Sequence, residues 1–381
     1  MIISYTTSVR LKIVRDVFIC CFTNDAVNTT YMWWMGGSLT NWIAMITMKL
    51  TLLLIVAYFF HCEGAVITSS EEQPAINNRP IIGILSQEQS FYLQGKYPKE
   101  NYTSYIAASY VKAIEASGAR VVPILIGKNR EYYRDLMSKI NGVLFPGGAT
   151  YFNQSNGYAD AGQHIYEIAQ EFNEADDYFP IFGTCLGFEL LIILASGRRE
   201  KENRIQCNSS LSRPLNFTND FRDSKMFKNA PQDLVDLLAY YDITVNAHQF
   251  CIVDENLKNF NLNKDWRVTS YSNDDKGVQF IATIENKRYP FYGVQFHPEK
   301  NSFEWKQSKN YPHSSDAVRA NRYFMDFFLN ECRKSSHTFR NVDEENEYLI
   351  YNYEPKFTGK IGSQYEQCYF FEPRRHRHCT V

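Results

Sequence analysis

The strongest candidate for a reactive side chain in this sequence is a cysteine that lies between two glycines. Cys185 is the centre of Gly183-Thr-Cys-Leu-Gly187, which follows an apolar, β-prone lead and precedes a helix-like apolar run. This order predicts a nucleophile elbow, a sharp strand-to-helix turn in which a Cβ at either glycine would crowd the chain. A helix start there lowers a thiol pKa and offers N–H groups to an oxyanion. The alternative is a buried structural cysteine.

A histidine and a glutamate two residues apart could activate that thiol. His297 and Glu299 flank Pro298, directly after an apolar run. In an extended segment residues i and i+2 point the same way, and the proline fixes φ, so the carboxylate can orient the imidazole. We therefore predict Cys185 as nucleophile, His297 as acid–base group and Glu299 as orienting carboxylate. The alternative for His297 is a hydrogen-bonded histidine at a strand end.

A third apolar run ends in Pro146-Gly147-Gly148. Alone, this tripeptide is typical of a turn. Its glycines would let backbone N–H groups approach a substrate carbonyl, and the N–H groups of Gly147, Gly148 and Leu186 are the predicted oxyanion donors. Because the three motifs follow three apolar runs, we expect them to meet at one edge of a sheet.

The elements that must position these residues alternate between strands and helices. Apolar runs bounded by glycine or proline predict buried strands at 80–85, 120–125, 142–145, 178–182 and 291–296. Helical spacing predicts helices at 105–117, 131–140, 161–173 and 316–332. The alternation predicts an α/β fold whose mostly parallel central sheet carries helices on both faces. Hairpin-like segments at 265–270 and 277–285 predict a small antiparallel extension.

Composition and length are those of a globular protein with a sizeable core. The chain has 381 residues, of which 44% are hydrophobic and 22% charged. Its net charge of −2 gives no indication of nucleic-acid binding. No repeat or linker interrupts residues 65–381, which predicts a single domain with its core at about 79–372. The cysteines beyond residue 64 show no spacing typical of a zinc site or a disulfide framework.

The N-terminal region predicts a secretory signal peptide at residues 48–64. Met48-Lys49 precedes an apolar core and then small residues before a cut after Gly64. The core is short for a membrane span of about 20 residues, so no membrane association is expected after cleavage. The alternative is a signal anchor from Trp42 to Phe60. Residues 1–47 are interpreted as an extension introduced by the gene model, with translation beginning near Met48.

Four Asn-x-Ser/Thr acceptors beyond the predicted cut agree with a secretory fate, at Asn101, Asn153, Asn208 and Asn216. Each triplet is a weak signal by itself, because such triplets often arise by chance. Together with the signal peptide they predict a glycoprotein of the lysosome, the extracellular space or both.

These motifs resemble the class I glutamine amidotransferase superfamily and, within it, the γ-glutamyl hydrolase family, peptidase family C26. The similarity covers residues 79–372 and includes the segments 105–111, 145–148, 183–189 and 289–300. The resemblance implies a Cys-His-Glu triad of Cys185, His297 and Glu299 that hydrolyses γ-glutamyl amides. It also places His248, in Asn246-Ala-His248, at the γ-glutamyl binding site.

The resemblance further implies a substrate class and an assembly. The expected substrates are folylpoly-γ-glutamates and antifolate polyglutamates, cleaved through a thioester at Cys185 without a metal or organic cofactor. A homodimer is expected as well. One alternative is a glutaminase subunit that passes ammonia to a synthetase. The other is a catalytically silent binding protein on the same fold.

Overall fold

A mixed sheet of eight strands is the largest sheet in the part of the chain that the computed structural model describes, residues 76–198, 201 and 203–373. These residues lie in one compact unit. The predicted N-terminal extension and signal peptide lie outside the described residues. In chain order the strands are β1 Ile81–Leu85, β2 Ser104–Ala107, β3 Arg120–Ile124, β4 Val143–Phe145, β5 Ile181–Thr184, β6 Ile205–Ser209, β7 Ser212–Arg213, β8 Asn216–Phe217, β9 Thr244–Val245, β10 His248–Cys251, β11 Trp266–Asn273, β12 Gln279–Asn286, β13 Phe291–Val294, β14 Lys356–Phe357 and β15 Gln367–Phe371.

The helices of the same residues vary from one turn to five. They are α1 Phe91–Lys96, α2 Ala108–Ala116, α3 Arg130–Met137, α4 Tyr158–Glu174, α5 Leu186–Ala195, α6 Gln232–Tyr240, α7 Asp254–Asn259, α8 Lys300–Phe303, α9 Ser315–Cys332 and α10 Val342–Tyr348. Short 3-10 turns occur at Phe221–Asp223, Leu262–Lys264, Ile350–Asn352 and Gly359–Ile361. No helix among the described residues has the length and apolar character needed to cross a membrane.

The main sheet is parallel in one part and antiparallel in the other. Its strand order is β3-β1-β4-β5-β13-β12-β11-β8. The first five strands pair in parallel, and the last three continue the sheet as antiparallel neighbours. The predicted mostly parallel sheet with a small antiparallel extension is therefore confirmed. Because β4, β5 and β13 are neighbours, the residues that follow them meet at one sheet edge.

Helices cover both faces of this sheet. Along β1, Ile82 and Ile84 pack into a core with α2, α6 and α9, whereas Ile81 and Leu85 pack into a second core with α3, α4 and α5. Successive side chains of a strand point to opposite faces, so β1 contributes to both layers. The predicted helices on both faces are confirmed.

The beginning of the predicted helix at 105–117 is wrong. Its first residues belong to β2, and the helix α2 starts at Ala108. β2 pairs with β15, and β14 completes a separate three-stranded sheet. The apolar spacing of residues 105–107 is helical, but hydrogen bonds to the distant strand β15 make these residues a strand.

A small antiparallel pair, β6 and β10, lies outside the main sheet and is joined by a disulfide between Cys207 and Cys251. The cysteine spacing gave no indication of this bond. Cys185, Cys332 and Cys368 are buried free thiols.

Candidate active site

Cys185 occupies the turn between β5 and α5 with a backbone conformation that few non-glycine residues adopt. Its φ is 50° and its ψ is −110°. A residue in so sparsely populated a region costs about 1–3 kcal/mol and persists only where its surroundings hold it. Here the Cys185 N–H donates to Val294 O at 2.8 Å, and its carbonyl accepts from Glu189 N–H at 2.9 Å. The predicted sharp strand-to-helix turn at Cys185 is confirmed.

The two glycines of the pentapeptide are required by close backbone approach. A Cβ on Gly187 would lie 2.0 Å from the carbonyl oxygen of Phe145. A Cβ on Gly183 would lie 2.6 Å from the carbonyl oxygen of Gly187. Since backbone atoms cannot swing aside as flexible side chains do, both predicted glycine requirements are confirmed.

His297 follows β13, the parallel neighbour of β5, and its side chain is paired with Glu299. The distance from His297 Nδ1 to Glu299 Oε1 is 2.8 Å, and both side chains are buried. A Cβ on Gly147 would lie 2.7 Å from His297 Cε1 and 3.1 Å from Cys185 Cβ. The imidazole and the cysteine therefore border the same point of the backbone after β4, as the sequence predicted.

The Cys185 thiol does not have the low pKa expected from a helix start. Burial, followed by the charges of Glu189 and Glu299, raises the pKa of this thiol well above its ordinary value. The Leu186 N–H and the Lys300 charge act in the opposite direction without reversing the result. The thiol is consequently protonated in the resting site, and it needs a base before it can attack.

The histidine and glutamate have pKa values that suit that task. Burial lowers the pKa of His297 below its ordinary value, although the Glu299 charge and hydrogen bond act against this change. Burial raises the pKa of Glu299, but the charge and hydrogen bond of His297 and the charge of Lys300 outweigh it, so the net pKa is lowered. The resting site therefore holds a neutral imidazole beside a carboxylate.

Tyr110 is a site residue that the sequence did not single out. Its Oη accepts from Gly147 N–H at 2.9 Å and lies 3.2 Å from His297 Nδ1. The Gly147 N–H is therefore already hydrogen-bonded, unlike the Gly148 N–H that was predicted beside it as an oxyanion donor. The Leu186 N–H points to the Cys185 thiol, and among the described residues the Gly148 N–H has no hydrogen-bond acceptor.

A buried polar network leads away from the thiol. Gln295 Nε2 lies 3.9 Å from Cys185 Sγ and donates to Glu189 Oε1 at 3.1 Å. Glu189 Oε2 accepts from Arg204 Nη1 at 2.7 Å. The Arg204 guanidinium lies 4.2 Å from the Phe250 ring, so the network ends on β10. Glu189 and Gln295 lie in the segments 183–189 and 289–300 that carry the resemblance, but no role was predicted from the sequence for either residue.

His248 lies on β10 as a buried, neutral histidine. Its Nε2 is 3.3 Å from Asn246 Oδ1, its Nδ1 is 3.9 Å from Cys207 Sγ, and its ring packs edge-on against Phe280. Burial, followed by the charge of His297, lowers the pKa of His248 to about 4. The His297 N–H donates to Val245 O at 2.8 Å, so the backbone just before His248 contacts His297.

A cavity of about 320 Å³ shares no lining residue with the three sheet-edge motifs. Its lining includes Trp266 and Tyr271 of β11, Lys287 and residues of α7. Within the described ranges, no group of three His, Cys, Asp or Glu side chains is arranged to hold a metal ion. The chemistry that the described residues offer is concentrated at Cys185.

Comparison with known proteins gives consistent matches. The family model Peptidase C26 matches residues 80–299, which include Cys185, His248, His297 and Glu299. The chain is 39% identical to the γ-glutamyl hydrolase of Homo sapiens over 84% of this chain and 98% of that protein. It is 40% identical to the Bos taurus γ-glutamyl hydrolase over 85% and 99%, and 42% identical to that of Mus musculus over 78% and 90%. The chain therefore belongs to the γ-glutamyl hydrolase family, peptidase family C26, and the protein is a peptidase.

Proposed function

We propose that the enzyme hydrolyses γ-glutamyl bonds of folylpoly-γ-glutamates and antifolate polyglutamates through a thioester at Cys185. The observation that carries this proposal is the buried thiol at the elbow beside the hydrogen-bonded pair of His297 and Glu299. The names of the relatives supply the γ-glutamyl specificity. The folyl part of the substrate follows from the resemblance of the sequence motifs.

The reaction begins with proton transfer from the thiol to the imidazole. Glu299 engages His297 Nδ1, so Nε2 is the nitrogen that takes the proton from Cys185. The thiolate attacks the γ-carbonyl, and the protonated His297 gives its proton to the departing amine. His297 then takes a proton from water, which attacks the thioester. The C–S bond breaks, His297 returns the proton to the Cys185 sulfur, and the product with its free γ-carboxyl group is released. Because the Cys185 thiol and the His297 imidazole are both neutral in the resting site, the thiolate and the imidazolium form only as the reaction proceeds.

The negative oxygen of each tetrahedral intermediate needs two hydrogen-bond donors. The N–H groups of Leu186, at the first turn of α5, and of Gly148, after β4, are the pair that we assign to it. Gly147 instead allows close packing, since its N–H is bound to Tyr110 and a Cβ would strike the imidazole. Of the three donors predicted from the sequence, we therefore assign only Gly148 and Leu186 to the oxyanion.

His248 binds the γ-glutamyl portion of the substrate as a neutral hydrogen-bonding group. With a pKa of about 4, its ring carries no charge near neutral pH. A neutral imidazole has one donor and one acceptor nitrogen, which suits the amide and carboxylate groups of a γ-glutamyl chain. Phe280 and Asn246 fix its orientation.

The direct test is incubation of the purified protein with pteroylpentaglutamate, followed by chromatography of the products. We expect shortened pteroylglutamates, together with glutamate or γ-glutamyl peptides, and the product lengths will separate endo- from exopeptidase cleavage. Cys185→Ala should abolish turnover while the fold is kept. Cys332→Ala, which removes another buried thiol, should retain activity.

An acid quench during turnover tests the thioester separately. The peptide that contains Cys185 should carry the mass of the acyl group. Undiminished hydrolysis by Cys185→Ala would refute the nucleophile. Unchanged pteroylpentaglutamate with the wild-type enzyme would refute the substrate.

We also propose that the enzyme is a secretory-pathway glycoprotein of the lysosome or extracellular space. The four predicted acceptors, Asn101, Asn153, Asn208 and Asn216, are all exposed. The Cys207–Cys251 disulfide is of a kind that persists in oxidising compartments. Enzymatic removal of N-glycans from the native protein should lower its apparent mass. Sedimentation velocity tests the expected homodimer.

A further inference from the structure

The β6–β10 pair carries His248 on a very small piece of sheet. β6 and β10 pair only with each other, and their register is irregular between His248 and Phe250. An isolated two-stranded ribbon is marginally stable in water, because each strand lacks a second neighbour. A histidine that binds substrate from such a ribbon needs further restraints on its position.

Backbone hydrogen bonds restrain both ends of the segment around His248. On one side, the His297 N–H donates to Val245 O at 2.8 Å. On the other side, the Ile281 N–H of β12 donates to Ile252 O at 2.9 Å. These bonds fasten the β10 segment to the catalytic histidine and to the main sheet. β6 lies along the other edge of β10, and a separate backbone hydrogen bond holds it, in which the Asp275 N–H donates to Asn208 O at 3.0 Å.

The disulfide adds a covalent link between the two strands. It joins Cys207 of β6 to Cys251 of β10, with a Cα–Cα distance of 5.8 Å and a sequence separation of 44 residues. The Cys207 sulfur lies 3.9 Å from His248 Nδ1, so the cross-link also packs directly against the imidazole. Both half-cystines are buried.

We propose that the Cys207–Cys251 disulfide is a positioning element of the active site, which holds His248 in place to bind the γ-glutamyl group. The inference rests on the proposed function for its substrate, but the positioning itself is a property of the free enzyme. Because both sulfurs are buried, the bond acts as a permanent clamp rather than as a surface redox switch. Mild reductants that protect Cys185 should leave it intact.

The kinetic test compares Cys207→Ala/Cys251→Ala with the wild type, using pteroylpentaglutamate and Cys332→Ala as the control for loss of a buried sulfur. We expect KM to rise about 10-fold with a much smaller change in kcat, because binding rather than chemistry is disturbed. His248→Asn should give a similar rise. In the His248→Asn background, removal of the disulfide should add less than about 2-fold, since residues that act through one another are not additive.

A spectroscopic test needs no substrate. In the wild type, the NMR signal of His248, assigned by its loss in His248→Asn, should titrate near pH 4. In the variant without the disulfide, partial exposure of the ring should move the titration toward the ordinary range of histidine.

The outcomes separate the two proposals. An unchanged His248 titration without the disulfide overturns the positioning role, whether or not the substrate is right. The positioning role is overturned as well if the increases in KM from His248→Asn and from removal of the disulfide are fully additive in the combined variant. A wild-type enzyme that leaves pteroylpentaglutamate intact overturns only the proposed function, because the titration still decides the inference.

Discussion

The strand ends of the parallel sheet and the β6–β10 pair hold the active site in different ways. β5 is buried along its whole length and has parallel neighbours on both sides, β4 and β13. β6 and β10 each contain both buried and exposed residues, and each has a single neighbour. Cys185 and His297 lie on the first region, whereas His248 lies on the second.

The difference indicates that side chains proposed for chemistry are held more rigidly than the side chain proposed for substrate binding. In the roles that we propose for them, Cys185 and His297 require alignment to within a fraction of an ångström, and a central strand with close-packed glycines provides it. His248, to which we assign substrate binding, lies on a two-stranded ribbon that pairing alone holds weakly. A covalent cross-link and a buried Arg204–Glu189 pair add further restraints. The comparison therefore predicts large effects at the strand ends and smaller ones at the ribbon.

Among the variants that compare the two regions, Gly147→Ala at the strand ends has the largest expected effect. Its Cβ would lie 2.6 Å from Tyr110 Oη and 2.7 Å from His297 Cε1, so the imidazole must move. Displacement of a catalytic group by about 1 Å can cost about 10²-fold, and kcat/KM measured with pteroylpentaglutamate should fall at least that far. Gly95→Ala is the matched control, because nothing lies within 4 Å of its Cβ. If Gly147→Ala and Gly95→Ala were equally active, the strand end after β4 would not need to hold the imidazole rigidly.

Hydrogen exchange measures the contrast between the two regions directly. Amides of β5 should be protected at least about 10²-fold more strongly than those of β6 and β10, since edge elements open locally before a central strand does. Mass spectrometry of peptides that cover 181–184, 205–209 and 248–251 gives the comparison. Removal of the disulfide should widen the gap by lowering protection in the two ribbon peptides alone. Similar protection in all three peptides of the wild type would contradict the contrast.

Glu299→Gln tests the orientation of the base, with an expected loss of about 10- to 100-fold in kcat/KM. The Glu299 charge raises the pKa of His297, which burial lowers. Its removal should move that pKa further down, so the acidic limb of the kcat/KM profile shifts to lower pH. Glu304→Gln, whose carboxylate accepts from Glu366 N–H, is the control. A shift toward higher pH would show that Glu299 does not act on His297 in this way.

The same division explains what the sequence could predict. The parallel strands and the elbow were predictable because their signals are local, as apolar runs bounded by glycine or proline and the two glycines around Cys185. The histidine–glutamate pair was predictable because two residues in one segment suffice to form it. The resemblance added the position of His248, which no local pattern singles out.

The rest depends on contacts between residues far apart in the chain. Tyr110 lies 187 residues from His297, and Cys207 lies 44 residues from Cys251. Strand β2 was missed because its partner β15 lies near the C-terminal end of the described residues. The raised pKa of the Cys185 thiol was also missed, since complete burial and the Glu189 charge outweigh the favourable helix start.

The smallest effect is expected where the two regions are joined, at Glu189. This carboxylate pairs with Arg204 near the ribbon, and its charge raises the pKa of the Cys185 thiol. Glu189→Gln removes the charge, so the thiol pKa should fall and the thiolate fraction at a fixed neutral pH should rise. Alkylation of Cys185 by iodoacetamide should accelerate about 3-fold, because the thiolate is the reacting species.

The control for this variant is Glu345→Gln, a carboxylate paired with Arg120 on the β3 side of the sheet. Its alkylation rate should equal that of the wild type. A slower reaction in Glu189→Gln would mean that loss of the Gln295 and Arg204 contacts closes the site more than loss of the charge activates it. The ribbon would then control access to Cys185 as well as the position of His248, and the two regions would be mechanically coupled rather than only electrostatically linked.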